Sequence, residues 1–253
     1  MFKEPDRNSS ALVLGGSGGV GRALVEQLAI AGVKVLAVSS DIRDLEALQQ
    51  NCELKHSARI QIRSTDFSVI DFDTEAFASD CIKTLGQITH IFMPVGAISN
   101  EDMGVPYPGI VNKLAMINYI RPAQLISIFS RHFVENGFGN AMIFTSIATA
   151  APRKNNIAYA SAKISLEFYC LALQHQFANS NIKVQICALG YVDTTMSFGM
   201  KLLFPTVSPN AVAKFSIKLC QTNKRYAYYP SFWWIITRIL KMLPWSVYKR
   251  LNF

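Results

Sequence analysis

Residues 11–22 read Ala11-Leu12-Val13-Leu14-Gly15-Gly16-Ser17-Gly18-Gly19-Val20-Gly21-Arg22. The apolar start predicts a buried strand and residues 20–31 predict a helix, so the glycines form the turn between them. Residues without Cβ let such a turn direct backbone N–H groups, and the positive end of the helix dipole, at a pyrophosphate. The glycines fit two spacings, Gly16-x-Gly18-x-x-Gly21 and Gly15-x-x-x-Gly19-x-Gly21. Both spacings predict a dinucleotide site at the first strand-to-helix connection.

Strand-like and helix-like segments alternate along the rest of the chain. The strand-like runs are apolar and rich in β-branched residues, as are parallel strands covered on both faces. They lie at 11–14, 34–38, 59–62, 90–93, 141–145, 183–187 and 225–229. Helix candidates lie between them, at 20–31, 45–50, 74–85, 110–135, 157–178 and 210–221. The connections are long enough for right-handed crossovers, so the sequence predicts an α/β Rossmann fold, a doubly wound parallel sheet of six to seven strands.

The composition is typical of a folded protein of a reducing compartment. Half of the 253 residues are apolar and 17% are charged, which allows a substantial core and argues against disorder. Five cysteines lie far apart, contain no C-x-x-C pair and are odd in number, so neither a disulfide framework nor a metal site is predicted. Residues 1–10 are polar and lead directly into the first strand, so we recognise no secretory signal and expect a cytoplasmic protein.

The net charge of +8 is confined to the end of the chain. Residues 194–253 carry nine Lys/Arg and no Asp/Glu, and the last 28 residues contain all three tryptophans. Such a basic, aromatic strip is compatible with single-stranded nucleic acid, but an anionic membrane surface explains it better, and we predict no nucleic-acid partner. No Pro/Gly-rich linker interrupts the chain, so we expect one main domain, residues 1–230, and an amphipathic C-terminal extension, residues 231–253.

Within this extension, residues 232–243 predict a helix with a wide apolar face. Trp234, Thr237, Arg238 and Lys241 fall within about 100° of one another on a helical wheel, and apolar side chains occupy the rest. The run is shorter than the roughly 20 residues that cross a bilayer, but its composition suits the headgroup region and the inner face of a membrane. The alternative is a helix packed on the body of the protein or on a second subunit, and the sequence leaves both open.

A second group of residues predicts proton-transfer chemistry. Tyr159-Ala160-Ser161-Ala162-Lys163 places a phenol and an ammonium group one helical turn apart on one face. The lysine charge favours phenolate and lowers the tyrosine pKa from about 10 toward the working pH, as a general acid/base requires. Ser146 follows the strand at 141–145, where its hydroxyl can donate to a carbonyl oxygen. Together with the dinucleotide turn, these groups predict an enzyme.

At these residues the sequence resembles the short-chain dehydrogenase/reductase family in its single-domain form, over residues 9–230. The matching motifs are Gly15-x-x-x-Gly19-x-Gly21, Asp66, Asn118, Ser146, Tyr159-x-x-x-Lys163 and Gly190-x-Val192-x-Thr194. The resemblance implies hydride transfer between a nicotinamide cofactor and a carbonyl or alcohol. It also implies a homodimer or homotetramer packed through residues 110–135 and 157–178.

The resemblance further implies a role for each site residue. Tyr159 donates or accepts the proton, Ser146 holds the substrate oxygen, Lys163 binds the nicotinamide ribose and lowers the pKa of Tyr159, and Asn118 orders a water that relays protons to Lys163. The implied cofactor contacts are Gly15, Ser17, Gly18, Gly19, Val20, Gly21, Ser39, Ser40, Asp66, Phe67, Gly96, Tyr159, Lys163, Val192 and Thr194.

The end of the second predicted strand favours NADP over NAD. An acidic residue there would bind the ribose hydroxyls and repel a 2′-phosphate. This chain has Ser39 and Ser40 at that point, and the first acid, Asp41, comes later. Ser39 therefore leaves room for a phosphate, for which Arg22 or Arg43 can supply the charge.

Three functions remain open at the level of sequence. Arg153 and Lys154, between Ser146 and Tyr159, suit an anionic substrate such as a phosphate. The C-terminal extension resembles that of reductases of bacterial cell-envelope polysaccharide synthesis, which act on a polyprenyl-phosphate 2-keto-pentose, and this implies a lipid-linked keto sugar at the membrane surface. The alternatives are a soluble reductase of a ketone, steroid-like or 3-oxoacyl substrate, and a non-catalytic NADP-sensing protein.

Overall fold

The computed structural model describes residues 5–199 and 203–251, and a parallel seven-stranded sheet forms its centre. The strand order is β3-β2-β1-β4-β5-β6-β7. The strands are β1 Ser10–Leu14, β2 Lys34–Ser39, β3 Gln61–Ser64, β4 His90–Met93, β5 Gly139–Ser146, β6 Ile182–Leu189 and β7 Tyr226–Tyr229. The predicted doubly wound sheet is confirmed, including its seventh strand.

Helices cover both faces of the sheet. They are α1 Gly19–Ile30, α2 Ile42–His56, α3 Thr74–Leu85, α4 Pro108–Ala115, α5 Arg121–Asn136, α6 Ile157–Gln176, α7 Pro209–Cys220, α8 Trp233–Met242 and α9 Trp245–Tyr248. The helix predicted at 45–50 is longer at both ends. It begins at Ile42 because the Asp41 carboxylate accepts the N–H of Arg43, 2.9 Å away, and caps the first turn.

Two apolar cores lie on opposite sides of the sheet. Because side chains alternate along a strand, Ala11 and Val13 of β1 face the core under α1, α2 and α7, whereas Leu12 and Leu14 face the core under α3, α5 and α6. Strand β1 pairs with β2 on one side and with β4 on the other. The direction of winding therefore reverses between β1 and β4, which opens a crevice at the carboxyl ends of these strands.

The single helix predicted over 110–135 is wrong in one respect, because a π-helical turn, Met116–Ile120, separates α4 from α5. Pro122 explains the interruption. Proline has no N–H to donate to the carbonyl of Asn118 and its ring crowds that turn, so the helix widens there. The backbone N–H of Arg121 reaches the carbonyl of Met116 instead. The widened turn contains Asn118, which is fully buried.

The C-terminal helix α8 packs on the body through one face. Trp233 and Thr237 are 3% and 1% exposed, whereas Ile235, Ile239 and Met242 are more than half exposed. Thr237 was expected on the polar face, which is wrong, because the helix lies with Trp233 and Thr237 against the body. No helix among the described residues is both long enough and apolar enough to cross a membrane.

Candidate active site

A cavity of about 450 Å³ lies at the carboxyl ends of β1, β4, β5 and β6. Of the site residues expected from sequence, Asn118 and Lys154 do not line it. Those that do are Gly15, Ser17, Gly18, Gly19, Val20, Gly21, Ser39, Ser40, Asp66, Phe67, Gly96, Ser146, Arg153, Tyr159, Lys163, Val192 and Thr194. Residues separated by as much as 179 positions in the chain are thus brought to one cavity.

The glycine turn between β1 and α1 has the shape that a phosphate group needs. Gly15 and Gly19 have φ of 94° and 45°, in the left-handed region that favours glycine. A Cβ on Gly21 would lie 1.8 Å from the Gly15 carbonyl oxygen, so only glycine fits there. The space at Gly18 is open, and no side chain caps the first N–H groups of α1. These free donors and the helix dipole make the turn suitable for a pyrophosphate.

At the carboxyl end of β2, Ser39 lies beside Ser17 of the glycine turn, and both residues line the cavity. The Oγ atoms of Ser17 and Ser39 are hydrogen-bonded at 2.7 Å. Arg22 is fixed beside them because its Nε donates to the Ser17 carbonyl, 3.1 Å away. Arg43, the other arginine considered, forms an exposed ion pair with Asp41. Ser17 and Ser39 thus present hydroxyls here with a guanidinium nearby, and Asp41 does not line the cavity.

The segment after β3 contributes Asp66 and Phe67. The backbone N–H and the hydroxyl of Ser68 hold the pKa of Asp66 below its usual value, so the carboxylate stays charged at neutral pH. The ring of Phe67 points into the core, where it meets Phe72 and Phe77 edge-on at 5.7 Å and 5.6 Å between centroids. Asp66 is therefore the better placed of the two to contact a ligand through its side chain.

Tyr159, Ser146 and Lys163 meet deep in the cavity. The Ser146 hydroxyl lies near enough to the Tyr159 phenol to favour its ionised form. The Lys163 ammonium donates to the carbonyls of Val95 at 3.0 Å and Phe144 at 3.3 Å. These contacts join the first turns of α6 to the ends of β4 and β5, and they place a phenol, a hydroxyl and a cation in one pocket.

Burial dominates the acid–base properties of this group. It raises the pKa of Tyr159, although the nearby Ser146 hydroxyl and the charge of Arg153 act in the opposite direction. It also lowers the pKa of Lys163 to about 8. The expected lowering of the Tyr159 pKa by Lys163 is not observed, because desolvation of the phenol outweighs the effects of Ser146 and Arg153. Tyr159 is protonated at neutral pH in this environment.

Asn118 lies behind the cavity wall and holds a loop. Its Oδ1 accepts the N–H of Ala97 at 3.1 Å, and its Nδ2 donates to the carbonyls of Ala97 and Leu114. Between Asn118 and Lys163 lies Gly96, where a Cβ would be 3.1 Å from Asn118 Oδ1 and 3.2 Å from Lys163 Nζ. Both amide hydrogens of Asn118 are used by the protein, so the residue fixes the backbone at residues 96–97.

One wall of the cavity, which Arg153 lines, is the part that the sequence motifs described least. Arg153 lines it, whereas Lys154 is exposed outside it. The cavity also contains residues that no motif indicated, among them Ile98, Ile117, Asn156, Tyr191 and Met196. They come from four different connections, so no local pattern relates them to one another.

The C-terminal extension reaches the edge of this wall. The Trp233 ring packs edge-on against Tyr191, 5.5 Å between centroids, and fills the space beside Gly190, where a Cβ would be 2.0 Å from its Nε1. The Tyr248 hydroxyl of α9 donates to the carbonyl of Pro152. The extension thus contacts both segments that flank the cavity on the side of Arg153.

Comparison with known proteins places this site in a family. A family model described as short chain dehydrogenase matches residues 9–201. An uncharacterized oxidoreductase of Mycobacterium tuberculosis is 26% identical over 211 residues, covering 80% of this chain and 61% of the relative, so the chain spans about three fifths of that protein's length. A second uncharacterized oxidoreductase of that organism is 22% identical over 245 residues, covering 95% of this chain and 96% of the relative.

A solved structure has the same fold. A short-chain dehydrogenase from Sphingobium yanoikuyae, in complex with NADPH, superimposes with a TM-score of 0.79 at 17% identity, covering 96% of each chain. The family match extends over the glycine turn, Ser146, Tyr159 and Lys163, which are the residues that meet in the cavity. The chain belongs to the short chain dehydrogenase family.

Proposed function

We propose that the protein is an NADP-dependent reductase that transfers a hydride to a ketone, with Tyr159 as the proton donor. The observation that carries this proposal is that Ser146, Tyr159 and Lys163 line the same cavity as the glycine turn. Ser146 would hold the carbonyl oxygen, and the phenol would protonate it as the hydride arrives. Burial keeps the phenol protonated at neutral pH, which suits the direction of reduction.

The residues present fit a nicotinamide dinucleotide. The glycine turn and the uncapped start of α1 would hold the pyrophosphate, and Asp66 would accept a hydrogen bond from the adenine. When bound, the cofactor supplies the hydride. Lys163 would bind the nicotinamide ribose, and Val192 and Thr194 would meet the carboxamide. Asn118 would support Lys163 by fixing the loop between them.

The serines at the end of β2 support NADP over NAD, and Ser39→Asp tests the choice. The new carboxylate would repel the 2′-phosphate, so we expect NADPH to bind at least about 10-fold more weakly while NADH affinity changes less than about 3-fold. Fluorescence titration with both cofactors measures this. Ser39→Ala is the matched control, because it also breaks the 2.7 Å bond to Ser17 but adds no charge. An equal loss for both cofactors in Ser39→Asp would contradict the assignment.

For the substrate, we propose an anionic, lipid-linked keto sugar reached at the surface of a membrane. Ile235, Ile239 and Met242 form an exposed apolar row on α8. Beside this row, the guanidinium of Arg238 lies over the ring of Trp234, 4.2 Å from the ring centroid. This arrangement suits the headgroup region. Arg153 would meet a phosphate inside the cavity. Since the extension contacts Pro152, membrane contact would bring the cavity close to the lipid.

Replacing both Ile239 and Met242 by Glu is expected to weaken binding to anionic vesicles by at least about 10-fold. The change removes apolar area from the membrane-facing row and adds repulsion by anionic headgroups. Co-sedimentation with phosphatidylglycerol vesicles measures it, with phosphatidylcholine vesicles for comparison. Leu54→Glu on α2 is the matched control, because Leu54 is 85% exposed and lies on another helix.

The proposal would be supported if the unmodified protein bound anionic vesicles in a salt-sensitive manner and the double variant did not. NADPH consumption with a polyprenyl-phospho keto sugar, compared with soluble ketones, would then identify the substrate. Absence of binding by the unmodified protein would contradict the membrane contact. Efficient reduction of soluble ketones without turnover of the lipid-linked sugar would favour the soluble-reductase alternative.

We propose that part of α6 packs against a second copy of the chain. Ile164, Phe168 and Leu171 are 49%, 75% and 42% exposed and lie on one face at helical spacing. This face is on the helix through which the family resemblance implies dimers or tetramers. We therefore propose a homo-oligomer in which α6 packs against its counterpart.

A further inference from the structure

Helix α6 contains Tyr159 and Lys163 but has no N-terminal cap of its own. Asn156, at the cap position, is in the left-handed region with φ 58° and ψ 42°, and its side chain makes no capping hydrogen bond. The first turn contains no acidic residue either. The first N–H groups of a helix need acceptors from outside the helix, and here those groups belong to residues of the active site.

Asp102 supplies these acceptors from 56 residues away in the chain. One carboxylate oxygen accepts the N–H of Ala158 and the other that of Tyr159, both at 2.9 Å. These are the two donors that the side chain of a local N-cap residue would bind. The backbone carbonyl of Asp102 accepts the N–H of Asn156 at 2.7 Å, and the residue is completely buried. Asp102 therefore replaces a local N-cap through space.

The segment that contains Asp102 also holds the rest of the site. We call residues 94–103 the β4 loop. Its Val95 carbonyl accepts Lys163 Nζ, and its Ala97 backbone bonds to Asn118 in both directions. Its residues from 94 to 98 line the cavity. One loop therefore holds Lys163 on the second turn of α6 and, through Asp102, Tyr159 on the first.

We infer that Asp102 is a positioning residue that sets the place of the Tyr159 hydroxyl relative to Ser146 and Lys163. Asp102 does not line the cavity, so it acts through the backbone N–H of Tyr159 and not on the reacting atoms. A displacement of about 1 Å in a reacting group can cost about 100-fold in rate. The inference rests on the proposed function, in which Tyr159 donates the proton.

The test is Asp102→Asn, which has the same size but can accept from only one of the two N–H groups through its carbonyl oxygen. We expect kcat for ketone reduction to fall roughly 10- to 100-fold while KM and NADPH affinity change less than about 3-fold. Independently of activity, we expect amide hydrogen exchange at residues 156–160 to accelerate by at least about 10-fold. The matched control is Asp73→Asn, which weakens an exposed cap, to the N–H of Ala76, at the start of α3.

Asp102→Glu keeps the charge and both acceptors but moves them by one methylene, so its kcat should lie between those of the unmodified protein and Asp102→Asn. It also serves if Asp102→Asn does not fold. An unchanged kcat per folded molecule in either folded variant, with unchanged exchange at 156–160, would overturn the inference. If exchange at residues 156–160 were faster in Asp102→Asn but the unmodified protein reduced no ketone, the proposed function would be contradicted. The capping role of Asp102 would still stand.

Discussion

Tyr159→Phe is expected to lower kcat for ketone reduction by about 100- to 10,000-fold while NADPH affinity stays within about 2-fold. The change removes one hydroxyl and leaves the ring, so the cavity keeps its shape and loses its proton donor. The Ser146 hydroxyl keeps its hydrogen bond from the N–H of Ala148, 3.1 Å away. Steady-state NADPH oxidation gives the rate, and fluorescence titration gives the affinity.

Tyr107→Phe is the matched control, because Tyr107 is 75% exposed before α4 and does not line the cavity. Its rate should equal that of the unmodified protein. If Tyr159→Phe kept more than about a tenth of the activity, Tyr159 would not be the proton donor. If the unmodified protein bound NADPH but reduced no ketone, and Tyr159→Phe changed nothing, the NADP-sensing alternative would be favoured.

Gly21→Ala is expected to abolish measurable NADPH binding and to lower the thermal stability of the whole domain. The new Cβ would lie 1.8 Å from the Gly15 oxygen and 2.7 Å from the Gly15 carbonyl carbon. These are backbone atoms, so the glycine turn or the start of α1 must move. Overpacking of this kind costs about 1–3 kcal/mol, and the displaced N–H groups no longer converge on a pyrophosphate.

Thermal unfolding measures the change in stability, and NADPH titration measures the change in affinity. Gly109→Ala is the control, because it also replaces a glycine by alanine but without overpacking. Gly109 lies in α4, and a Cβ there has no neighbour within 4 Å. Alanine is favoured over glycine in a helix, so this variant should be as stable as the unmodified protein or slightly more so. Normal NADPH affinity in Gly21→Ala would show that the turn is not the pyrophosphate site.

Local patterns predicted the features that depend on neighbours in the chain. Strands that are apolar on both faces alternate with amphipathic helices, and this alternation alone defines a doubly wound sheet. The placement of Tyr159 and Lys163 on one face of a helix follows from helical spacing, and the glycine turn follows from its place between β1 and α1. A doubly wound sheet is expected to hold its ligand crevice at the carboxyl ends of the strands, and the cavity lies there.

Features that depend on residues distant in the chain were determined only by the tertiary structure. Asp102 caps α6 across 56 residues, and no signal near Tyr159 indicates it, since α6 contains no cap of its own. The pKa of Tyr159 is raised because the effect of burial exceeds that of the nearby charge. Packing of α8 on the body decided that Thr237 is buried. A sequence pattern states which faces and spacings a segment has, whereas caps, desolvation and packing partners arise only when separate segments meet.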